Sequence, residues 1–230
     1  TGRAVADGMQ LLAELNAIDE RNALTPIGRE LAKLPLDPRV GRMMLAAREQ
    51  NCLTEMLVIA AALSVQDSRE RPLEAQEAAD QAHRRFVDER SDFLALVKLW
   101  AFVQERIGHK KSNRKLTEEL RSQFLSPRRV REWIDVHGQL AGELGWRPNA
   151  TPASFEQVHL ALLAGLLGNI GCRVLDAERG EPPFAGARGI KFFAHPGAHL
   201  AKKPGRWIVA AELVETTRLF GRGLANIEPQ

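Results

Sequence analysis

LTPIGRELAKLPLDPRVGRMML, residues 24–45, contains the same helix-start signal twice. Thr25 precedes Pro26, and Asp37 precedes Pro38, so each time a residue with a capping oxygen stands before a proline at the first helical position. A proline-containing corner, LPL, separates the two signals, because proline ends the helix before it. The stretch therefore predicts two short helices joined by a stiff corner, as in a small winged-helix-like unit.

Helical patterns continue on both sides of this stretch. Residues 9–18 (MQLLAELNAI) have apolar side chains at helical spacing, and residues 53–63 (LTEMLVIAAAL) are apolar almost all round, which predicts a helix buried on most sides. Ser91 and Asp92 form a cap signal before a long amphipathic helix, and Ser154 caps another. The first part of the chain is therefore predicted to be all-α.

The helical periodicity ends near Gly171. Three later segments are predicted strands, because they are rich in β-branched and aromatic residues and are bounded by glycine or proline. They are residues 190–194 (IKFFA), 207–214 (WIVAAELV) and 216–227 (TTRLFGRGLANI). The sequence therefore predicts a mainly α fold in which helices are followed by a small all-β module.

The totals exclude several classes of protein. The 230 residues, 44% of them hydrophobic, are enough for a core. No run of about eighteen apolar residues predicts a membrane span, and the first residues lack the apolar segment of a signal peptide. Because the sequence starts without methionine and in mid-pattern, we expect a fragment of a longer protein. Cys52 and Cys172 are far apart in apolar contexts, which favours a reducing cytosol over a disulfide framework or a zinc site.

Motifs that carry catalysis are absent from the sequence. It has no GxxxxGK[ST] phosphate loop, no HExxH, GxSxG or CxxC pattern and no EF-hand. His195 and His199 are four residues apart, but the proline and glycine between them prevent a shared helical face, so we predict no metal site. We expect His159 at a helix surface or core edge, and Glu55 at a solvated helix position. The chain alone is predicted to hold no cofactor and to catalyse nothing.

Basic residues cluster in two places, although the net charge is only +3. The first cluster begins a predicted helix and consists of Arg128, Arg129 and Arg131. The second lies beside the aromatic residues of the β region and consists of Lys191, Lys202, Lys203 and Arg206. Such groups neutralise phosphates, and basic groups next to strand aromatics are typical of surfaces that bind single-stranded nucleic acid. The alternative is a solvated basic face without a partner, with Trp207 and the inward-facing one of Phe192 and Phe193 in the core.

The order of motifs along the chain resembles the C-terminal region of DEAH-box RNA helicases. The opening stretch, residues 24–45, is similar to their winged-helix segment, and CLTEMLVIAAALS (52–64) is similar to the start of their helicase-associated region. FLSPRRVREWIDVHGQL (124–140) resembles the family's F-L-x-x-R pattern, with Arg128 on the family's arginine and His137 where many members carry arginine. The β region resembles their OB-fold. QDSRERP, HRRF, SDFLAL, RVREW and AELVETTRLFGR are most similar to the bacterial HrpA-type branch.

The resemblance implies a function for the chain. Proteins of this family hydrolyse ATP with Mg in two RecA-like motor domains, which would lie upstream in the same protein, and translocate 3′ to 5′ along RNA. The chain would be a non-catalytic portion that binds and guides single-stranded RNA in the cytoplasm. Its parts would be a winged-helix-like segment, a helicase-associated helical (ratchet) domain and an OB-fold-like module whose completeness the sequence leaves open, at residues 1–48, 49–172 and 173–230.

Two other functions are weighed against this one. The same helices could form a protein-interaction or regulatory scaffold without direct RNA contact. A DNA-binding winged-helix regulator is disfavoured, because the helix from Pro26 to Leu34 has only Arg29 and Lys33 as basic readers beside Glu30.

Overall fold

The computed structural model describes residues 2–145 and 147–228. In these residues nine α-helices precede five β-strands, which confirms the mainly α fold followed by an all-β module. The helices are α1 (Gly2–Glu14), α2 (Pro26–Leu31), α3 (Pro38–Glu49), α4 (Leu53–Leu63), α5 (Gln76–His83), α6 (Asp92–Gly108), α7 (Asn113–Ser122), α8 (Pro127–Leu144) and α9 (Phe155–Leu166). The strands are β1 (Ile170–Arg173), β2 (Phe184–Gly186), β3 (Lys191–Ala194), β4 (Trp207–Glu215) and β5 (Leu219–Ile227). None of the described helices has the length and apolar character needed to cross a membrane.

Both caps predicted from the opening stretch are present. Thr25 Oγ1 accepts a hydrogen bond from Gly28 N at 3.0 Å, and Asp37 Oδ1 accepts one from Arg39 N at 3.0 Å. Proline occupies the first turn of both α2 and α3. α2 is shorter than predicted and ends at Leu31. The corner between the two helices directs α3 along α9 and against α4.

Helices α1–α9 together are called the helical body here. Near its centre, the indole Nε1 of Trp133 in α8 donates a hydrogen bond to Val58 O of α4 at 3.0 Å. Trp100 of α6 meets the Trp133 ring edge-on, with the ring centroids 5.0 Å apart. Large aromatic side chains dominate the burial energy of a core. Helices α4, α6 and α8 are therefore held around one pair of indole rings.

Two expectations about polar side chains are wrong. Glu55, expected in solvent, is 9% exposed, and its carboxylate accepts hydrogen bonds from Ala153 N at 2.9 Å and Asn149 Nδ2 at 3.1 Å. His159, expected at a surface or a core edge, is 3% exposed, and its Nε2 lies 2.6 Å from Ser91 Oγ. In both cases a segment distant in sequence covers the side chain, and helical periodicity carries no signal of such a cover.

The five strands close into a barrel with the order β1-β2-β3-β5-β4. All neighbouring pairs are antiparallel except β3 and β5, which are parallel. The rings of Phe184 and Phe192 stack inside it with their centroids 5.7 Å apart. A Cβ on Gly171 would lie 2.5 Å from Phe192 Cζ, and one on Gly221 would lie 3.0 Å from Phe192 Cε2. Glycine at both positions therefore leaves the space that the Phe192 ring fills.

The barrel joins the helical body at the start of α6. Leu224 N donates a hydrogen bond to Asp92 Oδ2 at 2.8 Å, and Asn226 N donates one to Arg90 O at 2.8 Å. An isolated antiparallel bridge lies between these two contacts. We call these contacts the junction. Because they tie the second half of β5 to the first residues of α6, the position of the barrel follows the start of that helix.

Candidate nucleic-acid interface

The first predicted basic cluster lies on the first two turns of α8. Arg128 and Arg131 are exposed, and Arg128 Nε lies 3.8 Å from a carboxylate oxygen of Glu132. Arg129 is half-buried and donates from Nη1 to Asp67 O at 3.2 Å. An exposed ion pair at this distance is weak. Arg128 and Arg131 are therefore available to an anion, whereas Arg129 is oriented by the loop that it contacts.

The loop that orients Arg129 is itself fixed by an ion pair. Arg69 Nη2 lies 2.7 Å from Asp67 Oδ2. Burial raises the pKa of Asp67, but the hydrogen bonds and the charge of Arg69 outweigh burial and hold this pKa below its ordinary value. Backbone hydrogen bonds of 2.8 Å attach the same loop to the turn between α7 and α8. Arg129 therefore has a fixed partner.

Lys202, from the second predicted cluster, approaches the same region from the barrel. It ends a short 3-10 helix, His199–Lys202. Arg71 lowers the pKa of Asp80 most strongly, through hydrogen bonds of 2.7 and 2.8 Å, and the charge of Lys202 lowers it further. Arg71 closely follows the loop that Arg129 contacts. Arg129 therefore contacts the loop that the Asp67–Arg69 pair fixes, and Lys202 lies near Asp80, which pairs with Arg71 shortly after that loop.

The other predicted basic residues of the barrel are exposed at different places. Lys203 follows Lys202 directly. Lys191 begins β3, where it pairs with Ala185 of β2. Arg206 stands just before β4, and its carbonyl oxygen accepts a hydrogen bond from Arg173 N at 2.8 Å. The barrel therefore presents Lys191 and Arg206 at two strand starts, and Lys203 after the 3-10 helix that ends at Lys202.

The aromatic residues near the second cluster differ in burial. Phe192 is the inward-facing ring at 0% exposure, whereas Phe193 and Trp207 are only half-buried. Sequence reasoning missed three residues that share the outer face of the barrel with Phe193. They are Arg218, Phe220 and Arg222. Their alternate spacing inside the third predicted strand was a usable signal, because alternate residues of a strand share one face.

The Cys52 thiol is unsuited to nucleophilic chemistry. Cys52 is fully buried, and burial, followed by the charge of Glu55, raises the pKa of its thiol to about 12. Such a thiol stays protonated near neutral pH and is a poor nucleophile. In the part of the chain that the structure describes, no group of three or more His, Cys, Asp and Glu side chains could hold a metal ion. The exposed cations and half-buried rings are suited to binding polyanions.

Three family models match the chain one after another. The winged-helix part of the helicase associated domain (HA2) matches residues 8–36, and the ratchet-like part of HA2 matches residues 37–96. The oligonucleotide/oligosaccharide-binding (OB)-fold matches residues 158–230. The all-β module of the structure, a closed five-stranded barrel, lies within this last match.

The chain is also similar to proteins that are named as helicases. It is 47% identical over 238 residues to the ATP-dependent RNA helicase HrpA of Escherichia coli (strain K12), which covers 99% of the chain and 18% of that relative. The chain thus corresponds to the C-terminal region of HrpA-type helicases. An HrpA homolog of Haemophilus influenzae (strain ATCC 51907 / DSM 11121 / KW20 / Rd) is 42% identical, with the same shares covered. The DExH-box ATP-dependent RNA helicase DExH1 of Arabidopsis thaliana is 32% identical, over 97% of the chain and 23% of its own length.

The HrpA-type resemblance drawn from the sequence motifs is thus confirmed, and the chain spans less than a quarter of the length of these relatives. The domain boundaries after residues 48 and 172 stay predictions. The family matches pass from winged helix to ratchet between residues 36 and 37, inside the corner between α2 and α3, and the OB-fold match begins within α9 at residue 158. The stiff corner of the opening stretch therefore lies where two parts of the HA2 region meet.

Proposed function

We propose that the chain is the non-catalytic, RNA-guiding part of an ATP-dependent DEAH-box RNA helicase that moves 3′ to 5′. The names of the relatives and the order of the three family matches support this function. The observation that carries it is the placement of Arg129 and Lys202. Arg129, from the helical body, contacts Asp67, and Lys202, from the barrel, lies near the Arg71–Asp80 ion pair that follows Asp67 closely in the chain.

Single-stranded RNA would cross this region with its phosphates near the basic residues. Cations on both sides of a strand neutralise its phosphates and release counterions, so affinity falls as salt rises. The orientation of Arg129 by the Asp67 carbonyl lowers the entropy that this side chain loses when it binds. The proposed contact set consists of Arg128, Arg129, Arg131, Lys191, Lys202, Lys203 and Arg206.

The remaining parts of the helicase would lie outside the chain. ATP and Mg would bind to RecA-like motor domains upstream in the same protein, which would be the main protein partner, and the helicase would be cytoplasmic. Residues 1–48, 49–172 and 173–230 would act as winged-helix segment, ratchet domain and OB-like module. The central ratchet helix would be α6, whose first turn holds the barrel through the junction.

A protein-interaction scaffold is the second candidate, and α1 favours it. None of the residues of α1 is buried, and Val5 is 66% exposed. An amphipathic helix with an uncovered apolar side is suited to docking another protein or domain. A pure scaffold would use this helix without contacting RNA.

Binding of the chain to fluorescent single-stranded RNA over a salt series separates the two candidates. We expect log affinity to fall with log salt by about 0.7 per phosphate neutralised. The double variant K202E/K203E should bind about tenfold more weakly at low salt and show a smaller salt slope, because it removes phosphate contacts. The matched control is K110E/K111E, which makes the same change in net charge on exposed adjacent lysines between α6 and α7.

Equal weakening by both double variants would show that only net charge matters, and would contradict the proposed RNA path. Absence of binding by the unmodified chain at low salt would favour the scaffold candidate.

A further inference from the structure

The outer face of the barrel carries a second group of aromatic and basic side chains, away from the residues predicted from the sequence. Phe193 of β3 and Phe220 of β5 are partners in the parallel strand pair, and their ring centroids lie 5.9 Å apart. Arg218 and Arg222 stand on either side of Phe220 along the chain. We call Phe193, Arg218, Phe220 and Arg222 the β3–β5 platform. None of the seven basic residues predicted from the sequence belongs to it.

The platform residues of β5 face outward, and the side-chain direction along the strand changes only after them, at Gly223. Gly223 has a φ of +62°, a left-handed conformation that suits glycine. Before it, Leu219 packs against the barrel core and Gly221 lies against the Phe192 ring; after it, Leu224 is in the core. The residues at positions 218, 220 and 222 therefore face outward. Leu224 is the next alternate residue and would face outward too in a regular strand, but it faces inward because Gly223 reverses the side-chain direction.

The cations of the platform lie against its rings. The Arg218 guanidinium carbon is 4.9 Å from the centroid of Phe193. Arg222 Nη2 lies 3.5 Å from Nε2 of His195, whose ring meets Phe220 edge-on at 5.7 Å. Within the described residues, no ion pair of 4.0 Å or less involves either arginine, even though Glu212 lies directly opposite Arg222 across the β4–β5 pair. Both positive charges are therefore available to an anion.

The exposure of Phe193 and Phe220 favours a binding role for these two rings over a packing role. Phe192, which packs the core, is fully buried, whereas Phe193 and Phe220 remain half-buried with an arginine beside them. A planar guanidinium on an aromatic face forms a flat stack that continues to accept planar groups. Flat rings with adjacent cations bind unpaired nucleobases by stacking and their phosphates by charge.

We propose that the β3–β5 platform binds an unpaired nucleobase of single-stranded RNA, with Phe193 and Arg218 stacking on the base and Arg222 near its phosphate. This subsite rests on the proposed RNA-guiding function and extends the RNA path. Strand β5 runs from Phe220 at the platform to Asn226 at the junction, which is about 20 Å at the rise of a strand. The subsite would therefore be a further RNA contact on the barrel, in addition to Arg129 and Lys202.

The test compares two oligomers of equal length, oligouridine and an abasic ribose-phosphate chain. Phe193→Leu keeps an apolar side chain but removes the ring. Because stacking contributes strongly per base, we expect its Kd for oligouridine to rise at least fivefold and its Kd for the abasic chain to stay unchanged. Arg218→Lys keeps the charge but loses the planar stack, so it should show the same selective loss at an exposed position where folding is not at risk.

The matched control is Phe155→Leu. Phe155 is also half-buried, and the guanidinium carbon of Arg90 lies 4.0 Å from the centroid of its ring, but Phe155 belongs to the helical body. It should bind both oligomers as the unmodified chain does. Unchanged oligouridine binding by both platform variants, with K202E/K203E still weakening it, would overturn the platform and leave the proposed function intact. An equal loss for the abasic chain in Phe193→Leu and in Arg218→Lys would assign these residues a structural role and also overturn the subsite. Failure of the unmodified chain to bind either oligomer would overturn both.

Discussion

The helical body and the barrel bury their cores by different means. In the helical body, long side chains from several helices meet around Trp133, and the helices begin at local caps such as Thr25 and Ser91. In the barrel, a few side chains around Phe192 fill a small interior that closes only where Gly171 leaves space. The first core depends on many local signals, and the second depends on a few contacts between distant residues.

This difference explains which elements could be predicted from the sequence. The prediction agrees with the structure for the helix Leu53–Leu63 and for the helix starts at Asp92 and Phe155. Capping residues and apolar periodicity lie within or next to the helix itself, so a short stretch of sequence reveals them. Strands β1 and β2 were missed. They are only four and three residues long, and each contains a glycine whose role depends on the Phe192 ring from another strand. Such a role has no local signal.

Removal of the central ring of the barrel has the largest expected effect and tests whether the two cores are independent. Phe192→Ala should lower the free energy of unfolding of the barrel by about 3–5 kcal/mol, because it deletes a fully buried ring in a small core. Hydrogen exchange read by mass spectrometry should show lost protection in β1, β3 and β5. The amides of α4 and α8 should keep theirs if the two cores are independent.

The counterpart in the helical body is Trp133→Ala. In the same hydrogen-exchange measurement, the amides of α4 and α8 should be the first to lose protection. If either truncation released both regions together, the two cores would form one cooperative unit and the comparison would fail.

Two glycines of the helical body give a smaller and sharper test. A Cβ on Gly165 of α9 would lie 2.5 Å from Arg39 O and 2.7 Å from Met43 Cγ, where α9 crosses α3. Gly165→Ala should therefore destabilise the chain by about 1–3 kcal/mol, as overpacking does. The change is measured by denaturant unfolding followed by circular dichroism.

The matched control is Gly138→Ala in α8, where a Cβ would meet nothing within 4 Å. It should stabilise the chain by about 0.5–1 kcal/mol, because alanine favours a helix over glycine. Destabilisation by both substitutions would mean that close helix approach is not the reason for glycine at position 165.

The smallest effect concerns pH and the contact between α9 and the start of α6. His159 Nδ1 donates to Phe155 O at 2.6 Å, since a carbonyl only accepts, so Nε2 of the neutral ring accepts from the Ser91 hydroxyl. Burial lowers the pKa of His159, and the nearby charge of Arg90 lowers it further, against the hydrogen bond to Phe155. The unfolded chain therefore binds this proton more readily than the folded chain does.

Stability from His159 is fully present above its ordinary pKa of about 6.5 and is lost as pH falls below that value toward the lower folded pKa. We expect the unfolding free energy to fall between about pH 7.5 and about pH 5.5, and to fall less steeply in His159→Gln. Burial also lowers the pKa of His83, which lies at a different contact, so His83→Gln should remove a separate part of the same slope. An unchanged slope in His159→Gln would contradict the assignment.

The site could be predicted from sequence only in part. The type of residue was visible, since Arg129 and Lys202 stood out as basic residues that no core needs. Their positions, Arg129 at Asp67 and Lys202 near Asp80, were not visible, because they depend on contacts between segments distant in sequence. Arg218 and Arg222 were missed although they alternate with inward-facing residues, because Leu224, after the left-handed Gly223, breaks that alternation and hides it in the sequence.

The junction can form only late in the synthesis of the chain. Asp92 begins α6, but the amide of Leu224 that it binds lies 132 positions later. At roughly 5–20 residues per second, the ribosome needs roughly 7–26 s to supply that amide. Until then the Asp92 carboxylate lacks the hydrogen bond from Leu224 N, which in the folded chain opposes the rise in its pKa that burial causes. The strand made last among those described is therefore the one that completes the first turn of α6.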